Sequence, residues 1–362
     1  MANPMGIDVK RFVDFLRTAG IGCFAGVPDS LLKNFCAYVT DNAGGCHVIA
    51  ANEGGAVGLA AGHYLATGEM ACVYMQNSGQ GNAVNPLASL ADPDVYSIPM
   101  LLVIGWRGMP GVHDEPQHVK QGKITLELMK TLGIPSEVLP ESTAKACVCV
   151  KKLLKLAKKE SRPVAVVVEK GAFGPYQLQN KVADIAKARR EAVIEKLLKG
   201  LPKNAVVVST TGMISREVYE TRERLGLGHE RDFLTVGSMG HASQIALGIA
   251  RAQPKRSVFC LDGDGASIMQ MGNMAIVGQS GCANLTHVVL NNAAHDSVGG
   301  QPTVGGKINL KAIARACGYN RPGAPTFIEI KVAKGARADL GRPKEPPRVN
   351  KALFMRTFGV DA

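Results

Sequence analysis

The sequence of 362 residues predicts an α/β protein of two domains, each a mostly parallel sheet with helices on both faces. Three observations carry this. ACVYMQ (71–76), MLLVIG (100–105) and PVAVVVE (163–169) are short apolar runs, rich in β-branched residues and unbroken by polar ones, as in strands buried on both faces. Segments of helical spacing alternate with them. The alternation lapses into Gly, Pro and polar residues at GAFGPYQLQNK (171–181) and then restarts.

In chain order, Val9, Phe12, Val13 and Leu16 repeat at helical spacing, and Gly20 supplies a stop. IGCFAGV (21–27) is a strand ended by Pro28, and HVIAA (47–51) a strand entering the small-residue helix GGAVGLAAGHYLA (54–66). After the lapse, NAVVVST (204–210), RSVFCLDGDG (256–265), LTHVVLNN (285–292) and PTFIEIKV (325–332) read as further strands. The expected division is residues 1–175, a linker over 176–190, and residues 191–362. Ligands of such sheets sit beyond the carboxyl ends of the strands, where Glu53, Asn77, Trp106, Ser209, Asp264 and Asn292 fall.

Composition narrows the function classes. With 46% apolar and 20% charged residues the chain is globular rather than disordered, and no apolar run is long enough to cross a membrane. The net charge of +12 is dispersed and aromatic residues are 5%, so no platform for nucleic acid is visible; basic charge equally favours small anionic ligands. The start, MANPMGIDVKRFVDF, lacks the apolar core of a secretory signal, and nine cysteines without CxxC pairing read as reduced thiols of a cytoplasmic protein.

The most specific pattern is Gly263-Asp264-Gly265 followed by Asn291-Asn292, each closing a β-branched run. A lone Gly-Asp-Gly is weak, since Asp-Gly is a common turn. Paired with the asparagines it offers hard oxygen donors suited to Mg²⁺, and a glycine that lets a phosphate approach the following helix. This pair resembles the motif of the thiamine diphosphate-dependent 2-oxo acid decarboxylases. The resemblance implies two thiamine diphosphate-binding domains, with Mg²⁺ held by the side chains of Asp264 and Asn292 and the carbonyl of Ala294. It further implies cofactor contacts from Ser209, Gly237, Gly263, Gly265 and Ala266, with Met239 propping thiamine into its bent form. Glu53, before two glycines, resembles the cofactor-activating glutamate; taken alone it is a helix N-terminal charge.

GVPDSLLK (26–33), ANEGGAVGLAAGHYLATG (51–68), YMQNSGQGNAVNPLASL (74–90), IGWRGMPGVHDEPQH (104–118) and HDSVGGQPTVG (295–305) resemble the phosphonopyruvate decarboxylase family over nearly the whole chain. That family has no middle domain, which accounts for the length. The resemblance implies an anionic 2-oxo acid substrate and an obligate homo-oligomer, at least a dimer, with the active site at a subunit interface. Asp29, His113 and Asp114 are candidates for proton handling, and Ser30, Lys33, Arg107, His118, His295 and Gln301 for substrate binding. Asp29-Ser30 also reads as a cap for a helix starting at Leu31, and Lys33 as a solvated helix charge. Arg337 and Arg342, in the tail KGARADLGRPK (334–344), are candidates for a phosphonate clamp on a lid. Rival readings are sulfopyruvate or another 2-oxo acid as substrate, a non-catalytic subunit of the same fold, and a generic nucleotide-binding protein.

One departure stands out. After NLKAIARACGYN (309–320) the resemblance leads to another strand and helix, yet only RPGA (321–324) precedes PTFIEIKV. The expectation is a shortened second sheet in which a neighbouring strand loses a hydrogen-bonding partner, with uncovered apolar surface, lower stability and reduced activity.

Overall fold

The computed structural model describes residues 6–360. The chain divides into two units, residues 1–181 with 297–301 and residues 182–296 with 302–362.

The first unit holds six strands: β1 (Ile21–Gly26), β2 (His47–Ile49), β3 (Met70–Gln76), β4 (Met100–Gly105), β5 (Ser136–Val138) and β6 (Val164–Val168). They pair in the order β2-β1-β3-β4-β6-β5, all parallel. Nearly every residue of β3, β4 and β6 is buried, which is why these runs are apolar without alternation. On one face pack α1 (Val9–Thr18), α2 (Lys33–Asn42) and α6 (Thr143–Glu160), around Phe12, Phe35 and Phe173. On the other pack α3 (Glu53–Thr67), α4 (Gln80–Ser89) and α5 (Pro116–Thr131); the alanines of α3 let it lie close to the sheet. The Asn52 side chain caps α3 by accepting the Gly55 N–H at 2.9 Å, so the sequence places Glu53 in the first turn, directly after β2.

The second unit runs α7 (Arg190–Gly200), β7 (Val206–Ser209), α8 (Met213–Leu225), β8 (Asp232–Leu234), α9 (Ala242–Ala252), β9 (Val258–Gly263), α10 (Asp264–Met269), α11 (Gly272–Gly278) and β10 (Leu285–Asn291). Two short extended pieces follow, β11 (Ala294–His295) and β12 (Gln301–Pro302), then α12 (Leu310–Cys317), β13 (Thr326–Lys331) and α13 (Pro347–Arg356). The main sheet has the order β13-β10-β9-β7-β8, again parallel. Adjacent β9 and β10 deliver Gly263-Asp264-Gly265 and Asn291-Asn292 to the same sheet end. Cores lie on both faces, one under α9, α11 and α12, the other under α7 and α8.

The short junction after α12 goes with a shorter sheet, five strands against six in the first unit. On its inner side β13 keeps a full partner, pairing with β10 through six positions, from Thr286 opposite Thr326 to Asn291 opposite Lys331. Asn320 closes the turn, at a left-handed φ of 58° that asparagine tolerates. Its Oδ1 accepts the Phe327 N–H at 2.8 Å, its Nδ2 donates to the Phe327 carbonyl at 3.1 Å, and its own N–H donates to the Pro325 carbonyl. The sheet nevertheless ends on β13, where Ile328 is 38% exposed beside the charged Glu329 and Lys331, a composition that discourages edge pairing. Replacing Asn320 by alanine removes both side-chain bonds and leaves a strained φ. A loss of about 2 kcal/mol in urea unfolding is expected, and an unchanged midpoint would refute the clasp.

The expected linker is not slack. Asp41 accepts the Tyr176 hydroxyl at 3.0 Å and the N–H groups of Gln179 and Asn180 at 2.7 and 2.9 Å, all within the first unit. From Val182 onward the chain is tied to the segment after β13. Lys334 N–H donates to Asp184 at 3.0 Å, and Ala333 N–H to the Ala188 carbonyl at 2.7 Å. The lid expectation is also corrected. Arg337 Nε donates to both Glu191 carboxylate oxygens, at 3.1 and 3.0 Å, and its terminal nitrogens pair with Glu220 and Asp339, so its guanidinium is committed to holding the tail against α7 and α8.

Candidate active site

In the first unit the site residues gather at the carboxyl ends of β1, β3 and β4. Asp29, fully buried after β1, accepts the Leu31 and Leu32 N–H groups at 3.0 and 3.3 Å, and Gln76 Nε2 at 2.7 Å. These bonds close a turn ahead of the helix rather than cap it: α2 starts at Lys33, two residues later than expected, with Leu32 as its N-cap. Burial raises the Asp29 carboxyl above its ordinary range, against the Gln76 bond and the charge of Arg107. Gly105 is required beside it, since a Cβ there would lie 2.2 Å from Asp29 Oδ2.

Arg107 donates to Ser30 Oγ at 2.7 Å and forks onto Asp114 at 2.7 and 2.5 Å. Asp114 also accepts the N–H groups of Gly108 and Glu115 at 2.8 Å each and lies 3.0 Å from His118 Nδ1. Burial opposes ionisation here, yet Arg107, His118 and the two backbone donors hold the carboxyl well below the usual range. Asp114, expected to handle protons, and His118, expected to bind substrate, here form a half-buried brace for Arg107, Asp114 directly and His118 through Asp114. The Asn77 side chain brackets the Arg107 backbone from the other side, at 2.8 and 3.1 Å. His113 and Lys33 are exposed, on the loop before α5 and at the start of α2.

Glu53 is buried, and Asn82 Nδ2 donates to its Oε2 at 2.7 Å. Burial raises its carboxyl, with the Asn82 bond opposing. Gly79 admits it, because a Cβ there would lie 2.2 Å from Glu53 Oε1. The stretch 76–82 thus touches both Asp29 and Glu53. Gln301 is fully buried with both amide atoms lacking a hydrogen-bond partner among the described residues.

In the second unit Asp264 opens α10, 2% exposed. Its carboxylate takes only neutral donors, the Thr303 hydroxyl and backbone N–H groups including those of Asn292 and Gly265. Burial raises its pKa, and no cation pairs with it among the described residues. A buried carboxylate without a cation fits a metal ion. Asn292 Oδ1 accepts the Ala294 N–H at 3.0 Å, and the chain turns through Ala293 at a left-handed φ of 58°. Asp264, Asn292 and the Ala294 carbonyl would offer an all-oxygen donor set, a chemistry suited to Mg²⁺ rather than a soft metal. Gly305 leaves room for Asp264, since a Cβ there would meet its Oδ2 at 2.4 Å.

Gly265 faces His295 and Met239, with 3.3 Å from an added Cβ to the imidazole and 3.5 Å to the Met239 methyl. Burial lowers the His295 pKa to about 4, so its ring is neutral at pH 7. Gly237 and Gly240 take φ of 72° and 87° around Met239, a backbone open to glycine. Ser209 differs from expectation: its hydroxyl lies 2.8 Å from Ser215 Oγ inside the unit. The neighbouring hydroxyls of Thr210 and Thr235 are buried and unpartnered instead. Behind the Asp264 loop, Tyr319, His287 and Asp262 form a buried chain at 3.2 and 3.3 Å, and Asp262 accepts the Gly263 N–H at 2.9 Å.

Residues 9–129 match the thiamine pyrophosphate enzyme N-terminal TPP binding domain, and residues 211–352 the C-terminal TPP binding domain of the same enzymes. Fold and site thus define a thiamine diphosphate enzyme with both binding domains in one chain and no domain between them. The phosphonopyruvate decarboxylase of Streptomyces viridochromogenes is 35% identical over 375 residues, covering 94% of this chain and 92% of its own. That of Streptomyces hygroscopicus is 34% identical over 380 residues, at 94% and 91% coverage. A sulfopyruvate decarboxylase subunit alpha of Methanothermobacter thermautotrophicus is 34% identical over 42% of this chain and 90% of its own. The chain belongs to the phosphonopyruvate decarboxylase family, and it is a thiamine diphosphate-dependent decarboxylase, a carboxy-lyase.

Proposed function

We propose that the enzyme converts 3-phosphonopyruvate to phosphonoacetaldehyde and CO₂ in phosphonate metabolism, with Mg²⁺ anchoring the cofactor diphosphate. The observation that carries this is the presence of Glu53, Asp264 and Asn292 in a chain that aligns over 94% of its length with a relative named for that reaction.

When bound, thiamine diphosphate supplies the sink for the electron pair left as the bond to the carboxylate breaks. Asp264, Asn292 and Ala294 would hold the metal, and Gly265 and Gly237 would let the backbone approach the cofactor. Glu53 is the acidic group that sets the cofactor's protonation, in a pocket that keeps water from its carboxyl. Asp29, with its pKa raised, supplies or holds the proton that replaces CO₂ on the substrate carbon. Gln301 gives the buried polar contact to substrate. Arg107 acts through Ser30, because Asp114 consumes its fork; His113 and Lys33 are the exposed donors that meet the phosphonate. No oxidant is needed, and the phosphonate group leaves unchanged.

A homo-oligomer, at least a dimer, fits the bare face of α3, where Gly55, Gly58, Leu59, Gly62 and Leu65 are exposed together. No helix of the described residues is long and apolar enough to cross a membrane. Nine free cysteines fit a reducing cytoplasm.

Product formation from phosphonopyruvate, sulfopyruvate and pyruvate, with and without thiamine diphosphate and Mg²⁺, tests the assignment. The expected kcat/KM for phosphonopyruvate exceeds that for pyruvate by about 100-fold, because polar groups placed for an anion are left unpaired by its absence. A preference for sulfopyruvate would reassign the substrate. Cofactor binding without turnover of any of the three would leave a non-catalytic subunit.

A further inference from the structure

Asn292 has two ends of nearly equal shape, and only the oxygen can hold a cation. We propose that Asp296 is the positioning residue that fixes which end faces the metal, and that the buried Arg190–Glu217 pair holds Asp296 in place. This rests on the metal reading given above.

Three donors converge on one Asp296 oxygen, Oδ2: Asn292 Nδ2 at 2.6 Å, the Gly335 N–H at 2.8 Å and Arg190 Nη1 at 3.2 Å. A carboxylate only accepts, so it selects the NH₂ end of the amide and turns Oδ1 the other way. The Ala294 N–H, donating to Oδ1 at 3.0 Å, selects the same orientation. Arg190 cannot swing away, because its Nε and Nη2 fork onto Glu217 at 2.7 and 2.9 Å, with the side chains 4% and 2% exposed. Three separate parts of the chain therefore meet on Asp296: the start of α7, the metal loop, and the segment after β13. Outer partners of this type commonly set metal affinity by one to two orders of magnitude.

The test is calorimetric titration of thiamine diphosphate at graded Mg²⁺, with melting temperature recorded in parallel. Asp296→Ala should raise the half-saturating Mg²⁺ on the order of 10- to 100-fold. Asn292→Asp should also weaken binding, because two carboxylates would then face each other at hydrogen-bond distance. The double variant Asn292→Asp with Asp296→Asn reverses the donor and acceptor and should recover most of the lost affinity relative to Asn292→Asp alone. A merely structural Asp296 would lower the melting temperature without moving the Mg²⁺ midpoint, and that result overturns the proposal. So does a swapped pair no better than Asn292→Asp. If Asp296→Ala fails to fold, Asp296→Leu keeps the volume but offers no acceptor, and its Mg²⁺ midpoint must rise. Wild-type binding that ignores Mg²⁺ would instead remove the metal reading itself, and the proposal with it.

Discussion

Glu53→Gln is expected to lower turnover by about 10²- to 10⁴-fold while the protein stays folded and still binds thiamine diphosphate. The amide has the shape of the carboxylate, and its carbonyl can keep the 2.7 Å bond from Asn82, so α3 and the 76–82 stretch have no reason to move. What disappears is an acidic group in a pocket where burial raises its pKa. The replacement also removes a carboxyl that binds its proton more tightly folded than unfolded. Such a group costs stability as pH rises from the ordinary carboxylate range through the folded value, so the variant should be no less stable than wild type at pH 7. Steady-state turnover beside cofactor calorimetry decides the matter. Near-normal turnover removes Glu53 from the mechanism, and lost cofactor affinity recasts it as a binding group.

Asp264→Asn is expected to move stability and cofactor binding in opposite directions. Burial raises the Asp264 carboxyl, and its hydrogen bonds come from neutral donors alone. Without a metal, the folded state therefore loses stability as pH rises from the unfolded carboxylate value through the folded one, and the loss persists at pH 7. The amide carries no such burden. The metal-free variant should melt higher than wild type at pH 7, by about 2–4 °C for each kcal/mol relieved, with the difference shrinking at acid pH. With Mg²⁺ and thiamine diphosphate the ranking should invert, because wild type gains the bound cation and the variant does not. A lower metal-free melting temperature would show that the Thr303 and backbone bonds already compensate the charge. Unchanged cofactor affinity would take the metal elsewhere.

The strands were legible because β3, β4, β6 and β9 are buried on both faces, so their apolar runs carry the whole signal. The loops that end them were legible by residue type: Asp264, Asn292 and Glu53 have few structural reasons to stand at strand ends. Commitment was not legible. Asp114 and His118 carry the residue types of acid–base chemistry, yet Asp114 is spent on Arg107 and His118 on Asp114, a grouping created when the loop before α5 folds back. Ser209 pairs with Ser215, six residues on, across the turn into α8. Arg337 reads as a loose cation until α7 and α8 bring Glu191 and Glu220 beneath it. Gly79, Gly105 and Gly305 were visible only as glycines; the need for each comes from the carboxylate packed against it. Asn320 is similar. A single asparagine replacing a strand–helix unit leaves no periodic signal, although the longer alignments with the Streptomyces relatives, 375 and 380 positions against a chain of 362, accord with residues missing here.

The pinned linker has a consequence for how such a chain can be cut. Up to Asn180 the backbone is moored to Asp41, and from Val182 onward to the segment after β13, which leaves Lys181 as the joint between two moorings. A break at that residue severs no strand or helix and gives up one backbone bond, from Lys181 N–H to the Gln179 carbonyl. Each fragment keeps a complete sheet and its own anchoring. Gene fission at this codon would leave each main sheet whole on its own polypeptide, while residues 297–301 of the first unit would travel with the second piece; some relatives are named as separate alpha and beta subunits.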